Sequence, residues 1–203
     1  YIDLYQMHHI DRDTPWEEIW QAMEFLIAQG KVLYIGSSNF AGWHIARANE
    51  IAKKRNFMGL VSEQSLYNLT QRSVELEVLP SCKEYGLGFI PWSPLAGGVL
   101  AGKPPDNTKS RRKSSGEIYN KFEDQLEKYF SICQEYSIRP AQLSLSWLLH
   151  NSVVTAPIIG PRTVSQLDES LIAIEYKIEE DLMKKLDEIW PGPGGPAPEA
   201  YAW

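Results

Sequence analysis

Cysteine is scarce in this sequence, and long apolar runs are absent from it. Two cysteines, Cys82 and Cys133, fall in amphipathic stretches of the 203 residues, which favours buried free thiols in a reducing cytoplasm over a disulfide. No apolar run approaches the roughly 18 residues of a membrane span, so none is predicted. The first residues lack a basic start and include Asp3 and Gln6, which is not typical of a signal peptide.

An excess of positive charge is also missing. The net charge is −6 and the isoelectric point is about 5.3, so we expect neither nucleic acid nor a membrane as a partner. Hydrophobic residues make up 43% and charged residues 23%, which is ordinary for a globular chain that can bury a sizeable core. One local exception is the basic cluster at residues 109–113, which fits either a solvated lid or a clamp for an anionic ligand.

Five short apolar runs have the composition of β-strands, and helical patterns follow them. Four of the runs begin about 30 residues apart, which is the rhythm of βα units in a parallel sheet. The runs are apolar on both faces, as expected for strands between a helix layer and a filled barrel interior. They cover residues 1–7, 32–37, 60–63, 87–92 and 153–159. The pattern predicts an α/β fold, a TIM (β/α)8 barrel present only in part, with about five βα units in one domain over residues 1–203.

Helix signals and breaks divide the rest of the chain. Thr14-Pro15-Trp16-Glu17 and Thr163-Val164-Ser165-Gln166 are two capping boxes, and Gly86 is expected to end the helix before it. Residues 97–119 are rich in Gly, Pro, Ser and Lys, and loops of that length are usually functional lids or disordered. Residues 191–203 open with a Pro-Gly repeat that excludes helix and strand, so they are predicted to form a C-terminal tail.

A polar cluster follows each of the five apolar runs. Catalytic groups of α/β barrels lie at the carboxyl ends of the strands, so the clusters are candidates for one active-site rim. Taken singly each is weak, because an asparagine after a strand is usually a turn or a helix cap. The clusters are His8, Ser37-Ser38-Asn39, Glu63-Gln64, Trp92-Ser93 and Gly160-Pro161-Arg162.

In this order the motifs resemble those of the aldo-keto reductase family, over essentially the whole chain. Asp3-Leu4-Tyr5-Gln6-Met7-His8 resembles the strand-four segment that carries a catalytic histidine. Gly36-Ser37-Ser38-Asn39-Phe40 and Glu63-Gln64 resemble the segments that hold the nicotinamide carboxamide. Trp92-Ser93-Pro94-Leu95-Ala96-Gly97-Gly98 is similar to the aromatic plate and pyrophosphate loop, and residues 159–170 to the adenosine-phosphate segment. The chain would then supply strands four to eight, in the branch related to the potassium-channel β subunits.

The resemblance implies an NADP(H)-dependent oxidoreductase that transfers a hydride between nicotinamide and the carbonyl of an aldehyde or ketone. His8 would be catalytic, and residues 97–119 would form a mobile cofactor loop. The partner would be a small carbonyl compound, and the resemblance is compatible with an oligomer. A regulatory subunit of the channel-β type, with little turnover, is the alternative. The implied cofactor-binding residues are Ser38, Asn39, Gln64, Trp92, Ser93, Pro94, Leu95, Ala96, Gly97, Lys103, Arg112, Gly160, Arg162, Gln166, Glu169 and Ser170.

The residue chemistry agrees with these roles at several points. An aromatic plate such as Trp92 suits a flat ring, and hydroxyl and amide groups suit its carboxamide. Arg162, beside the predicted start of a helix, is placed to grip a 2′-phosphate, which favours NADP over NAD. Ser170 departs from the asparagine common in the family.

The tyrosine that donates the proton in the family, with its lysine and aspartate, has no counterpart here. Tyr5, Tyr34 and Tyr67 do not match its position. We therefore expect the chain to be part of a larger enzyme, and alone it could be inactive.

Overall fold

A computed structural model describes residues 1–102 and 116–194. Strands and helices alternate in its first half, and helices dominate its second half. The strands are β1 (Ile2–Met7), β2 (Val32–Ser38), β3 (Leu60–Leu66) and β4 (Gly88–Trp92). The helices are α1 (Trp16–Ala28), α2 (Gly42–Lys54), α3 (Val78–Tyr85), α4 (Gly116–Lys121), α5 (Glu123–Glu135), α6 (Pro140–His150), α7 (Val164–Leu171) and α8 (Glu180–Ile189). Short 3-10 helices cover Ser73–Glu75, Ala96–Ala101 and Ile172–Ile174.

The four strands form one sheet in the order β1-β2-β3-β4. The β1–β2 and β2–β3 pairs are parallel, which confirms the α/β class predicted from the alternation of strands and helices. Gln6 of β1 pairs with Gly36 of β2, and Gly36 pairs with Ser62 of β3. Ser38 pairs with Gln64, so the carboxyl ends of β2 and β3 lie side by side.

The predicted fifth strand at residues 153–159 is wrong, since the described part of the chain has only four strands in its sheet. One backbone hydrogen bond links this segment to β4, from Ile158 N to the Pro91 carbonyl at 2.8 Å. Pro157 and Pro91 both lack an N–H group, so neither can donate to a ladder between the two segments. The prediction of about five βα units is therefore corrected to four strands.

The described residues form two compact units. One contains residues 1–65 and 74–90, and the other contains residues 66–73 and 91–194. We call them the first unit and the second unit. The single domain expected over residues 1–203 stays a prediction. Of the predicted cofactor loop, residues 103–115 lie outside the described residues, as do residues 195–203 of the predicted tail.

The first unit has its core between the helices α1 and α2 and the sheet. Trp20 of α1 is fully buried, and its indole N–H donates to the Ala48 carbonyl of α2 at 2.9 Å. The ring of Trp20 lies 5.4 Å from those of Trp16 and Phe57. Large aromatic side chains of this kind contribute most of the apolar area that a small core buries.

The two predicted capping boxes have different outcomes. Thr163 caps α7 as predicted, and its hydroxyl oxygen accepts from Gln166 N at 3.2 Å. At α1 the N-cap is Pro15, and the Thr14 hydroxyl instead donates to Asp11 Oδ2 at 2.8 Å, so that capping box is wrong. Thr14 lies one residue before the N-cap, and its hydrogen bond to Asp11 belongs to the loop that precedes the helix.

The second unit packs α5, α6 and α8 around buried leucines and Tyr129. The Tyr129 hydroxyl donates to the Pro140 carbonyl at 2.5 Å and lies 2.7 Å from Ser144 Oγ. Arg72 anchors the segment 66–73 to α8, because its guanidinium bonds Asp187 and the Trp190 carbonyl, each at 2.6 Å. The fully buried leucines are Leu100, Leu126, Leu143, Leu148, Leu182 and Leu186.

Both cysteines are buried and free, as the sequence predicts. Burial raises the pKa of each thiol to about 12, which argues against either as a nucleophile. Within the residues that the structure describes, no helix is long and apolar enough to cross a membrane.

His44 of α2 is buried in the first unit, and neither ring nitrogen has a hydrogen-bond partner among the described residues. Its ring lies against Trp43, with centroids 3.6 Å apart. Burial lowers the pKa of His44 below its ordinary 6.5, and the charges of Arg12 and Arg47 lower it further. The folded state therefore favours the neutral imidazole.

We expect the free energy of unfolding to fall as the pH drops below about 6.5, because the unfolded chain then takes up a proton that folded His44 resists. Replacing His44 by Phe should flatten this dependence, as followed by urea unfolding at several pH values. The matched control is His150→Phe at the exposed end of α6, which should keep the wild-type slope. An unchanged slope in His44→Phe would contradict the prediction.

Candidate active site

Four of the predicted site residues meet at the carboxyl ends of β1, β2 and β3 in the first unit. Ser38 and Gln64 are direct partners across the β2–β3 pair, and Asn39 N donates to the Gln64 carbonyl at 2.9 Å. The Asn39 side-chain nitrogen donates to Ser38 Oγ at 3.0 Å and to the His8 carbonyl at 3.4 Å. The structure thus joins the ends of three strands through one asparagine.

Asn39 has a left-handed backbone with φ of 59°. Asparagine is among the few residues that adopt this conformation at low cost. The turn lets the chain leave β2 while Asn39 keeps contact with both neighbouring strands. This accounts for an asparagine at the strand end.

Ser38 and Gln64 together present one donor and one acceptor. The Ser38 hydroxyl oxygen accepts from Asn39, so its own hydrogen is directed elsewhere. The Gln64 amide nitrogen donates to Gln6 Oε1 at 2.7 Å, and no residue in the described ranges 1–102 and 116–194 donates to Gln64 Oε1. A primary carboxamide has one acceptor and two donors, so this pair has the matching chemistry.

A buried carboxyl group lies directly behind this edge. Glu63 has no exposed surface and accepts from the Ser65 hydroxyl at 2.5 Å, from Phe40 N at 3.1 Å and from the Ser37 hydroxyl. Burial raises its pKa above the ordinary 4.5, and its hydrogen-bond donors oppose that shift. Glu63 therefore fixes both ends of the turn that contains Ser38 and Asn39. The sequence shows Glu63 only as a neighbour of Gln64.

His8 and His9 follow β1 in a bend, and both are exposed. Their ring centroids lie 4.2 Å apart. Strand alternation does not apply to these two side chains, because β1 already ends at Met7. His8 nevertheless stays attached to the edge, since its carbonyl accepts from Asn39.

In the second unit, the predicted plate Trp92 is the last residue of β4, and the predicted phosphate loop follows the strand. Trp92 is half-buried, and Ser93, Ala96, Gly97 and Gly98 all have positive φ values between 49° and 98°. The N–H groups of Ala96 and Gly97 donate to Ser93, and that of Gly98 to the Leu95 carbonyl, over 2.8–3.2 Å. The loop is a tight coil whose inner N–H groups already have partners, so a bound phosphate would share them.

The predicted adenosine-phosphate residues lie around the start of α7 in the same unit. Arg162 N donates to Gln166 Oε1 at 2.7 Å, which completes the cap that Thr163 begins. Glu169 forms an ion pair with Arg139, which lowers the pKa of Glu169, and the Ser170 hydroxyl donates to the Gln166 carbonyl at 2.8 Å. Gly160 and Arg162 are exposed, whereas Lys103 and Arg112 lie outside the described residues.

Taken separately, the residues of each unit fit a part of a nicotinamide cofactor in chemical type. The first unit offers the donor and acceptor for a carboxamide, and the second offers an aromatic side chain and the exposed guanidinium of Arg162. No ion pair engages Arg162 within residues 1–102 and 116–194. Among these same residues, no cluster of His, Cys, Asp and Glu could hold a metal ion.

Known proteins match this chain over nearly its full length. The model of the aldo/keto reductase family matches residues 1–191. An uncharacterized oxidoreductase of Bacillus subtilis is 52% identical over 100% of this chain and 63% of its own length. A putative aryl-alcohol dehydrogenase of Saccharomyces cerevisiae is 33% identical over 93% of this chain and 56% of its own. A putative voltage-gated potassium channel subunit beta of Schizosaccharomyces pombe is 34% identical, over 93% and 59%.

The chain thus spans 63% or less of the length of these relatives. The family match covers the carboxyl ends of β1, β2 and β3 in the first unit, which form the strand-end edge. It also covers the loop after β4 and the loop before α7. On these grounds, the chain belongs to the aldo/keto reductase family.

Proposed function

We propose that this chain is part of an NADP(H)-dependent oxidoreductase that interconverts a small or aromatic aldehyde or ketone with its alcohol. The observation that carries the proposal is the register pair Ser38–Gln64, which offers a donor and an acceptor suited to a carboxamide. Membership of the aldo/keto reductase family supports the reaction class. The proposed fold of the complete protein is a TIM barrel, to which this chain contributes β1–β4 and their helices. Its predicted location is the cytoplasm.

The side chains of the first unit would hold and polarise the reactants. Ser38 would donate to the carboxamide oxygen, and Gln64 Oε1 would accept from the carboxamide nitrogen. When bound, reduced nicotinamide supplies a hydride to the carbonyl carbon. His8 would donate a hydrogen bond to the carbonyl oxygen, where negative charge develops, and so stabilise the transition state. The proton donor implied by the family resemblance is a tyrosine without a counterpart in this chain.

The direct test uses the complete protein from the reading frame that contains this chain. Fluorescence titration with NADPH and NADH measures cofactor binding, and NADPH oxidation with 4-nitrobenzaldehyde measures turnover. Binding with turnover supports the proposal. Binding of neither dinucleotide would overturn it.

A second candidate function is a cofactor-binding regulatory subunit with little turnover. It is favoured by the 34% identity to the protein named as a putative potassium channel subunit beta. Tight NADPH binding with no oxidation by several classes of carbonyl compound would select this function instead.

Arg162 carries the preference for NADP(H) over NAD(H). An exposed guanidinium beside the capped start of α7 can bind a 2′-phosphate by two parallel hydrogen bonds. Replacing Arg162 by Ala should weaken NADPH binding by about 1.5–3 kcal/mol, the contribution of hydrogen bonds to a charged group. Binding of NADH, which lacks that phosphate, should stay unchanged.

Isothermal titration of both dinucleotides checks this prediction. Arg47→Ala, at an exposed position of α2 in the first unit, is a control for charge alone. Equal affinities of the wild-type protein for NADPH and NADH would contradict the role of Arg162.

A further inference from the structure

Gln6 lies behind the carboxamide-binding pair without being part of it. It lies in the first unit, opposite Gly36 and two residues before His8. Its Oε1 accepts from Gln64 Nε2 at 2.7 Å, and its Nε2 donates to Ser62 Oγ at 3.3 Å. Ser62, Gln6 and Gln64 therefore form a hydrogen-bonded chain across β1 and β3.

This series of hydrogen bonds passes over Gly36 of the intervening strand β2. A Cβ atom at Gly36 would overlap Ser62 Oγ and come within 3.1 Å of Gln6 Cγ. Only the missing side chain of Gly36 lets the Gln6 amide cross β2 and reach a residue two strands away. The glycine is thus explained by a close approach of side chains, since its φ is not positive.

We propose that Gln6 is a positioning residue, which holds the Gln64 amide with its nitrogen turned inward and its oxygen turned toward the cofactor. This proposal rests on the proposed function, because it assigns Gln64 Oε1 to the cofactor carboxamide. An amide can rotate by half a turn at little cost in shape, but the rotation exchanges a donor for an acceptor. With the nitrogen outward, Gln64 would face the carboxamide NH2 with a second donor.

The observed network opposes that rotation. Rotating Gln64 alone would bring its oxygen against Gln6 Oε1, so two acceptors would meet and two hydrogen-bonding groups would lose their partners. Half-burial of Gln6 and Gln64 and near-complete burial of Ser62 limit replacement by water. Gln64 can therefore turn its nitrogen outward only if Gln6 rotates with it and the Ser62 hydroxyl changes from acceptor to donor, so Gln6 ties the orientation of Gln64 to two further groups.

The test compares Gln6→Met with Gln6→Glu in the complete protein. Both replacements keep the length of the side chain, so a role in packing alone predicts similar results. A carboxylate can accept from Gln64 Nε2 with one oxygen and from the Ser62 hydroxyl with the other, which retains the orientation of Gln64. A thioether retains neither hydrogen bond.

We expect Gln6→Met to raise the Kd for NADPH about tenfold, as for the loss of one well-formed hydrogen bond. Gln6→Glu should stay within about threefold of wild type on the same measure. The matched control is Gln21→Met on the exposed face of α1, which should change nothing. Met and Glu variants with equal Kd values would overturn the proposal.

Two further measurements keep the result interpretable. The 3-acetylpyridine analogue of NADPH carries a methyl group in place of the carboxamide nitrogen, so Gln6→Met should leave its Kd within about twofold. In a Gln64→Met background, Gln6→Met should add no further loss, because Gln6 acts through Gln64. A further tenfold loss in that background would overturn the proposal even if the variants are less stable.

Failure of this inference differs from failure of the proposed function. If the wild-type protein binds neither NADPH nor NADH, both fall. If it binds NADPH and Gln6→Met binds NADPH equally well, only the role of Gln6 falls.

Discussion

Replacing His8 by Ala is expected to lower kcat of the complete protein by roughly 10²–10³, the loss that follows removal of one hydrogen-bond donor to a developing oxyanion. His8 directly follows β1 at the strand-end edge, is exposed, and is held there through its carbonyl by Asn39. Its side chain is therefore free to meet a substrate while its backbone is fixed. The Kd for NADPH should barely change, because the proposed cofactor contacts come from other residues.

His9 provides a close control for His8. It is the same residue type, also exposed, with its ring 4.2 Å from that of His8. His9→Ala should leave kcat within a few-fold, a smaller effect than the loss of an oxyanion donor. Steady-state rates with 4-nitrobenzaldehyde measure both variants. Full kcat in His8→Ala, or loss of NADPH binding instead of turnover, would contradict the assignment.

Replacing Glu63 by Ala should cost about 3–5 kcal/mol in the free energy of unfolding. The substitution leaves the Ser65 hydroxyl and Phe40 N without their acceptor in a buried place, where each such group costs about 1–3 kcal/mol, and the Ser37 hydroxyl keeps only the Ser62 carbonyl. The Ser38–Asn39 turn should lose its fixed geometry as well. NADPH binding should therefore weaken even under conditions where the variant remains folded.

Glu63→Gln is the matched control, and we expect it to cost about 1 kcal/mol. Its amide oxygen can still accept from Phe40 N and Ser65, while its nitrogen donates to Ser37 Oγ. That hydroxyl can in turn donate to the Ser62 carbonyl, which lies 3.2 Å away. Urea unfolding of the two variants measures the difference. Similar losses in both would show that the volume of the side chain matters more than its acceptors.

Comparison of the wild-type protein with Glu63→Gln tests the raised pKa of Glu63. The unfolded chain releases this proton near the ordinary 4.5, whereas folded Glu63 retains it to higher pH. Its contribution to stability is therefore largest below that value and falls as the pH rises toward the folded pKa. His44 acts in the opposite direction. The difference between wild type and Glu63→Gln isolates the contribution of Glu63.

Residue types predicted much of the candidate site. A hydroxyl, an asparagine and a glutamine after successive strands identified Ser38, Asn39 and Gln64, and the parallel register then brought them together. Glu63 and Gln6 were not predicted in their roles, because those roles depend on which side chains the register places opposite one another. The sequence contains the residues but not the pairing of Gln6 with Gly36.

Two failures have local physical causes. The segment 153–159 has strand composition, yet proline at its own position 157 and in β4 removes the donors that a ladder needs. Helix α5 was overlooked although Leu126, Tyr129 and Cys133 are buried at helical spacing. Its many charged residues face solvent and hide the apolar stripe in a simple reading of composition.

Pro91 has a further consequence for how the molecule behaves in concentrated solution. In a strand, the N–H and carbonyl groups of one residue point to the same side. The Pro91 carbonyl faces the segment 153–159, so the N–H group that proline lacks would lie on that same, outer side of β4. A strand from another molecule would find one rung absent at this place and could not extend the sheet through an unbroken ladder. Natural proteins protect the edges of their sheets against aggregation in this way. Pro91, which together with Pro157 deprives the ladder to the segment 153–159 of donors, also makes this edge of β4 a poor template for assembly between molecules.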